Sequence, residues 1–151
     1  ALLEAAILAH ADSVARRLRK SGEQGRTVVL KLKLARRVAA GPRGYPLLTR
    51  RTTLPQPTDD GDAIARAARE LLRSSGLAEP VRLLGVGVTN LEPANPEQLA
   101  LGEDGEARTR RVKLNRALDA LSERFGKDTV HRAEQADVSR AALSDQIKRG
   151  E

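Results

Sequence analysis

The chain has 151 residues, which suits one ordinary domain, or one small domain with an appendage, and 40% of them are hydrophobic, which is enough to bury a modest core. It has no cysteine, one Tyr, one Phe and no Trp, which excludes a disulfide framework, a thiolate nucleophile, a cysteine-based zinc site and an aromatic base-stacking platform. The net charge of +7 is unevenly placed, because residues 13–57 hold twelve Arg or Lys against the single acid Glu23. This density favours a polyanion-binding surface over the alternative of a merely solvated basic face.

The start of the chain carries no targeting signal. ALLEAAILAHADSVARRLRK lacks the basic-then-apolar order of a signal peptide, and no stretch reaches the roughly 18 apolar residues of a membrane span. We therefore expect a cytoplasmic protein that engages no membrane. Because the chain opens at Ala1 directly in a helical pattern, we also expect a fragment with further parts upstream.

The first half of the chain predicts a helix followed by a basic hairpin. Apolar residues at three- and four-residue spacings indicate a helix to about Lys20, ended by Ser21-Gly22. Residues 26–35 then alternate between apolar and basic side chains, as a half-buried strand requires. After a turn at residues 41–44, residues 45–54 form the predicted return strand, closed by Pro55 and Pro57.

The second half predicts a helix, a strand and a tail. Thr58-Asp59-Asp60 supplies a helix N-cap and acidic first turn, and this helix ends near Ser75-Gly76. Residues 81–89 alternate as a third strand, and residues 110–125 resume a helical pattern. The predicted organisation is a domain at 1–93, a Pro-, Glu- and Gly-rich linker at 94–109, and a helical or partly disordered tail at 110–151. Within the tail, residues 128–136 and 139–148 are either short helices or disordered.

No constellation of residues indicates an enzyme active site. Asp59, Asp60 and Asp62 could be imagined as a metal site, but acids at a helix start are favoured by the helix dipole. Gly85-Val86-Gly87 lacks the third glycine of a dinucleotide loop. His10 and His131 have no partners at metal-ligand spacing.

The strongest signal is the basic hairpin, whose side chains and strand amides can donate hydrogen bonds to consecutive phosphates without reading bases. Two glycines of the third strand would allow another backbone to approach closely, although they could also be only bulge or twist positions. The predicted phosphate-binding residues are Lys31, Lys33, Arg36, Arg37, Arg43, Thr49, Arg50, Arg51, Thr52, Thr53, Gly85, Gly87 and Thr89.

Four segments in this order, RTVVLKLKLA, TRRTTLPQPTDD, ELLRSSG and PVRLLGVGVTNLEP, resemble the little-finger domain of Y-family translesion DNA polymerases, in particular the bacterial polymerase IV branch. The resemblance covers Leu2 to Pro93. It implies an α+β fold, an antiparallel sheet backed by two helices, whose open face grips primer–template DNA. It also implies Mg²⁺ held by palm-domain carboxylates that this chain does not contain, so we expect no cofactor here and no polymerase activity from the chain alone.

Two departures from the family pattern affect the expected grip. The family sheet has four strands and begins with a strand before the first helix, whereas this chain predicts three strands and an unpaired edge. Many relatives carry Arg where this chain has Gly87, and we expect Arg82 to lie on the opposite face. One phosphate contact would therefore be missing.

The linker contains Gln98-Leu99-Ala100-Leu101-Gly102, which is similar to the peptide by which bacterial polymerases dock on the sliding clamp. A Gln and two alternate leucines can fill a small apolar groove, although such leucines could instead pack on their own domain. The resemblance thus implies Gln98, Leu99 and Leu101 as clamp-binding residues.

We therefore expect a monomeric DNA-binding portion of an error-prone translesion polymerase, acting in DNA repair and damage tolerance and tethered to the clamp. Two alternatives remain open: an RNA-binding module of the translation or ribosome-maturation machinery, and a clamp adaptor that does not bind DNA.

Overall fold

The computed structural model describes residues 2–41, 43–95, 105–127 and 129–133. These residues form three helices and three strands, in the predicted order of helix, strand, strand, helix, strand and helix. None of the helices in these residues is long and apolar enough to cross a membrane. The elements are α1 (Leu2–Ser21), β1 (Glu23–Leu34), β2 (Leu47–Thr58), α2 (Gly61–Ser74), β3 (Val81–Pro93) and α3 (Gly105–Phe125).

The three strands form one antiparallel sheet in the order β2-β1-β3. The fold class predicted from the sequence, an α+β domain with a three-stranded sheet backed by two helices, is confirmed. The central strand β1 is the most buried of the three, and Val28, Leu30 and Leu32 are fully buried on its helix-packed face. Alternation along β1 therefore divides the sheet into a packed face and an open face.

Helices α1 and α2 cover the packed face of the sheet. Their buried positions recur at helical spacing, and several are alanines, so the two helix backbones can approach each other closely. Gly61 at the start of α2 shows how close this contact is, since a Cβ there would collide with the side chain of Asp12 on α1. The buried helical residues are Ile7, Leu8, Ala11, Val14, Ala15, Leu18, Ile64, Ala65 and Ala68.

Strand β2 continues past the point where two prolines were predicted to close it. It runs to Thr58, so the prediction of an end at Leu54 is wrong. The register explains how Pro55 and Pro57 are accommodated: Thr27 pairs with Thr53 and Gly25 with Thr58, so β2 makes an irregular excursion between these two pairs. Because β2 is an edge strand, a residue without an N–H can be tolerated there.

Two further boundaries differ from those predicted. Strand β3 extends four residues beyond Thr89, to Pro93, and pairs with β1 along this extension through Leu91 opposite Gly25. Helix α3 begins at Gly105, inside the span predicted as linker, rather than at Arg110. Within the described residues β3 pairs on one side only, as the expectation of an unpaired edge requires.

Candidate nucleic-acid interface

Four rows of residues cross the open face of the sheet, each with one residue from β2, one from β1 and one from β3. Residues directly opposite each other in an antiparallel pair project to the same face, and successive rows are about 6.7 Å apart along the strands. The rows are the threonine row (Thr53, Thr27, Thr89), the arginine row (Arg51, Val29, Gly87), the lysine row (Thr49, Lys31, Gly85) and the leucine row (Leu47, Lys33, Leu83).

The cations of the two middle rows are available to a ligand. Lys31 and Arg51 are both exposed, and no described carboxylate lies within ion-pair distance of either. Lys33, in the leucine row, is half-buried. These three side chains give the open face a concentrated positive charge. No described acid neutralises the charge of Lys31 or Arg51.

Glycines 85 and 87 lie beside these cations on the same face, as predicted. A Cβ built on either residue would meet nothing within 4 Å, so neither glycine is required by packing. Both also have backbone conformations outside the left-handed region that favours glycine. They leave the β3 backbone uncovered by side chains at these two positions, next to Lys31 and Val29. We call the stretch from Gly85 to Gly87 the β3 track. A bulky ligand can therefore approach the β3 amide groups closely.

The hydroxyl groups of the threonine row are partly engaged within the protein. Thr27 is buried, and its Oγ1 accepts a hydrogen bond from Asn90 Nδ2 at 2.7 Å and lies 3.2 Å from Thr53 Oγ1. Asn90 itself has a φ of 55°, in the left-handed region of backbone conformation. Thr53 and Thr89 remain exposed at the two ends of the row.

Arg50 and Thr52 do not belong to this face. Arg50 pairs with Leu30 and Thr52 with Val28, so both project toward the helix-packed side of the edge strand. Arg50 is nevertheless exposed there, and its Nη1 donates a hydrogen bond to the carbonyl oxygen of Thr49 at 3.1 Å. The grouping of Arg50 and Thr52 with Lys31 in one row of donors is corrected by the register, since alternate residues of a strand face opposite sides.

The hairpin arginines have three different environments. Arg36 forms an ion pair with Glu79, Nε to Oε2 at 3.0 Å, so its charge is neutralised locally. Arg37 donates from Nε to the carbonyl oxygen of Ala39 at 3.0 Å, while Arg43 is exposed. Of the three, Arg43 is thus the one with no described protein partner.

Arg82, predicted to lie on the opposite face from Gly87, contacts Tyr45 next to the hairpin turn. It stands where the β1–β3 register shifts between Lys33 and Leu34, and its guanidinium lies 4.3 Å from the ring centroid of Tyr45. Arg37 approaches the same ring at 5.9 Å. A register irregularity leaves no signal in strand alternation, so sequence reasoning could not find this cluster.

The acids considered as a possible metal site have structural partners instead. Asp60 caps α2, accepting from the backbone N–H of Ala63 at 3.1 Å and from Asn115 Nδ2 at 3.2 Å. Asp62 forms ion pairs with Arg111 and Arg132. In the described part of the chain no group of three His, Asp or Glu residues could hold a metal ion.

This acidic region joins α3 to helices α1 and α2. Arg19 of α1 pairs with Asp119 of α3, and buried Asn115 reaches the α2 cap. Burial lowers the pKa of Arg19, but the hydrogen bond and charge of Asp119 outweigh this and the pKa is raised on balance. The contacts are polar, whereas Leu114, Leu121 and Phe125 of α3 are exposed.

The predicted clamp-binding residues Gln98, Leu99 and Leu101 lie outside the described residues, as do residues 134–151 of the predicted tail.

The packed helices and the basic rows define an α+β domain with an open, cationic antiparallel sheet. The chain matches the model of the impB/mucB/samB family C-terminal domain over residues 1–101. It therefore belongs to this family, as the little-finger region of a Y-family polymerase of the polymerase IV type.

Similar proteins bear the name DNA polymerase IV. The one from Desulfatibacillum aliphaticivorans is 40% identical over 124 residues, which cover 81% of this chain and 29% of the relative. The one from Moorella thermoacetica is 40% identical over 133 residues, covering 87% and 30%. The one from Streptomyces coelicolor is 46% identical over 89 residues, covering 59% and 17%. The chain spans less than a third of the length of these relatives.

Proposed function

We propose that this chain holds duplex primer–template DNA through its backbone phosphates, on the open face of the sheet. The observation that carries the proposal is the pairing of exposed Lys31 and Arg51 with the bare β3 track at Gly85 and Gly87. Cations bind phosphates whatever the base sequence of the DNA, and a strand without side chains lets a sugar–phosphate backbone approach closely. The names of the polymerase relatives support DNA as the polyanion.

The parent protein, in this proposal, is a DNA-directed DNA polymerase that copies damaged templates in the bacterial cytoplasm. Its Mg²⁺ and catalytic carboxylates belong to other domains, and this chain supplies grip rather than chemistry. The expected behaviour is that of a monomer that binds DNA without sequence preference and incorporates no nucleotides.

Clamp tethering is the second part of the proposal. It rests on the sequence of Gln98, Leu99 and Leu101, which suits a small apolar groove with one hydrogen-bonding position. Binding of the chain to purified bacterial sliding clamp, measured by surface plasmon resonance, tests it. A variant with Gln98→Ala, Leu99→Ala and Leu101→Ala should lose clamp binding and keep DNA binding, while unchanged clamp binding would refute this part.

Fluorescence anisotropy of a labelled primer–template duplex over a salt series tests the DNA proposal. With Lys31 and Arg51 exposed on the open face, log K against log salt should fall with a slope of about −2 or steeper, independently of sequence. Matched double-stranded RNA should compete poorly. A preference for RNA would favour an RNA-binding module, and clamp binding without any DNA binding at low salt would favour an adaptor.

A further inference from the structure

The leucine row places two large apolar side chains on the open face, next to the cations. Leu47 is 62% exposed and Leu83 is 56% exposed. Their chain neighbours Leu48 and Leu84 pack against the core, so Leu47 and Leu83 must project from the opposite face. A single exposed leucine is ordinary on a protein surface, but this pair flanks Lys33 in one row.

The spacing of this pair matches the rest of the proposed interface. Leu47 and Leu83 are separated by β1, which sets their backbones about 9.6 Å apart, and the lysine row lies about 6.7 Å along the strands. A ligand covering both rows therefore meets cations and apolar groups in turn. A sugar–phosphate backbone has this character, because anionic phosphates alternate with the carbon-rich surfaces of the sugars.

We propose that Leu47 and Leu83 pack against deoxyribose and make this face select DNA over RNA, an inference that rests on the proposed DNA-binding function. Contact with deoxyribose buries apolar surface on both partners, which is favourable. A ribose would place its 2′-hydroxyl against leucine, where it loses hydrogen bonds to water and gains none. The 2′-hydroxyl is the group that distinguishes RNA from DNA at such a contact.

The test compares two double variants of the whole chain on matched duplex DNA and duplex RNA. Leu47→Thr with Leu83→Thr removes the apolar contact but keeps residues that suit strands. Leu47→Val with Leu83→Val is the control, because it keeps an apolar surface at the same positions. Thermal unfolding of each variant verifies that the fold is retained.

The threonine variant should bind DNA about five- to tenfold more weakly, a loss that fits partial burial of two leucines. Its salt slope should be unchanged, because no phosphate contact is removed. Its affinity for duplex RNA should fall by a smaller factor than its affinity for DNA, so the ratio of DNA affinity to RNA affinity should decrease. The valine variant should stay within about twofold of the parent.

Two outcomes would overturn the inference. Unchanged DNA affinity in the threonine variant would exclude a DNA contact at these leucines. That result would be expected if the leucine row packed against another protein domain instead. Equal losses on DNA and RNA would exclude selection of deoxyribose. Lys31→Gln, measured in parallel, separates the two proposals: a reduced salt slope in this variant upholds the phosphate grip even if the leucine inference fails.

Discussion

Arg19 and Asp119, one hundred positions apart in the chain, form a two-pronged ion pair that joins α1 to α3. Nε donates to Oδ2 and Nη2 donates to Oδ1, both at 2.7 Å, while Nη1 donates to the carbonyl oxygen of Asp59 at 3.0 Å. Paired donors of this geometry match a planar guanidinium to a carboxylate and are stronger than neutral hydrogen bonds. Because much of the contact between α3 and the domain is polar, this pair is central to keeping the helix in place.

Asp119→Asn should therefore loosen α3 without unfolding the domain. Loss of one charge in a partly buried pair costs about 1–2 kcal/mol, so hydrogen exchange of α3 amides should accelerate about tenfold or more. Exchange in β1 should not change. Glu123→Gln, on the exposed side of α3, is the control. Equal exchange rates in the Asp119 variant and the parent would contradict a holding role for the pair.

The sheet was predictable because its signal is local. Alternation of apolar and basic residues in β1 assigns the two faces directly, and the turn residues between the strands favour a hairpin. Arg50 and Arg51 show where local reasoning fails, since two neighbouring arginines must lie on opposite faces and the register decides which.

The long-range polar contacts were not predictable from the sequence. Nothing near Arg19 identifies Asp119 as its partner, and nothing near Asp62 indicates Arg132. The excursion that accommodates Pro55 and Pro57 likewise depends on β2 being an edge strand, which only the strand order reveals. The position of β2 at the edge of the sheet thus permits prolines that would end an interior strand.

The two faces of β2 provide a matched pair of charge variants. Arg51→Gln removes a cation from the open face, so the slope of log K against log salt for duplex DNA should become shallower by about 0.9. Arg50→Gln removes the same charge from the neighbouring residue on the other face and should change the slope much less. Equal changes in the two variants would show that general charge, rather than the open face, governs binding.

Gly87→Arg should strengthen DNA binding, because the added guanidinium can reach a phosphate while Gly85 still leaves part of the β3 backbone uncovered. A side chain there enters open space, opposite Val29 and in the same row as Arg51, so the fold should tolerate it. The added cation should steepen the salt slope by about 0.9. Gly87→Gln, which is long but uncharged, is the control for crowding of the β3 track. Weaker binding by both variants, in the same salt-titration assay, would mean that the track must remain free of side chains.

Ionisation of Asp59 should destabilise the folded chain, and the pH dependence of the free energy of unfolding should show this. Burial raises the pKa of Asp59 above its ordinary value, and the nearby charge of Arg19 offsets only part of the effect. A carboxyl group whose pKa is higher in the folded state binds protons more readily there. Its contribution to stability is therefore lost as pH rises from the ordinary pKa, about 3.9, through the folded value.

Asp59→Asn removes this ionisation, so the variant should be more stable than the parent at neutral pH. The advantage should shrink as pH falls toward about 3.5, where the parent carboxyl is largely protonated in both states. Urea denaturation at both pH values measures the two free energies of unfolding, and the low-pH pair isolates the effect of the amide itself. A difference that does not depend on pH would mean that the charge of Asp59 is as well accommodated in the folded chain as in water.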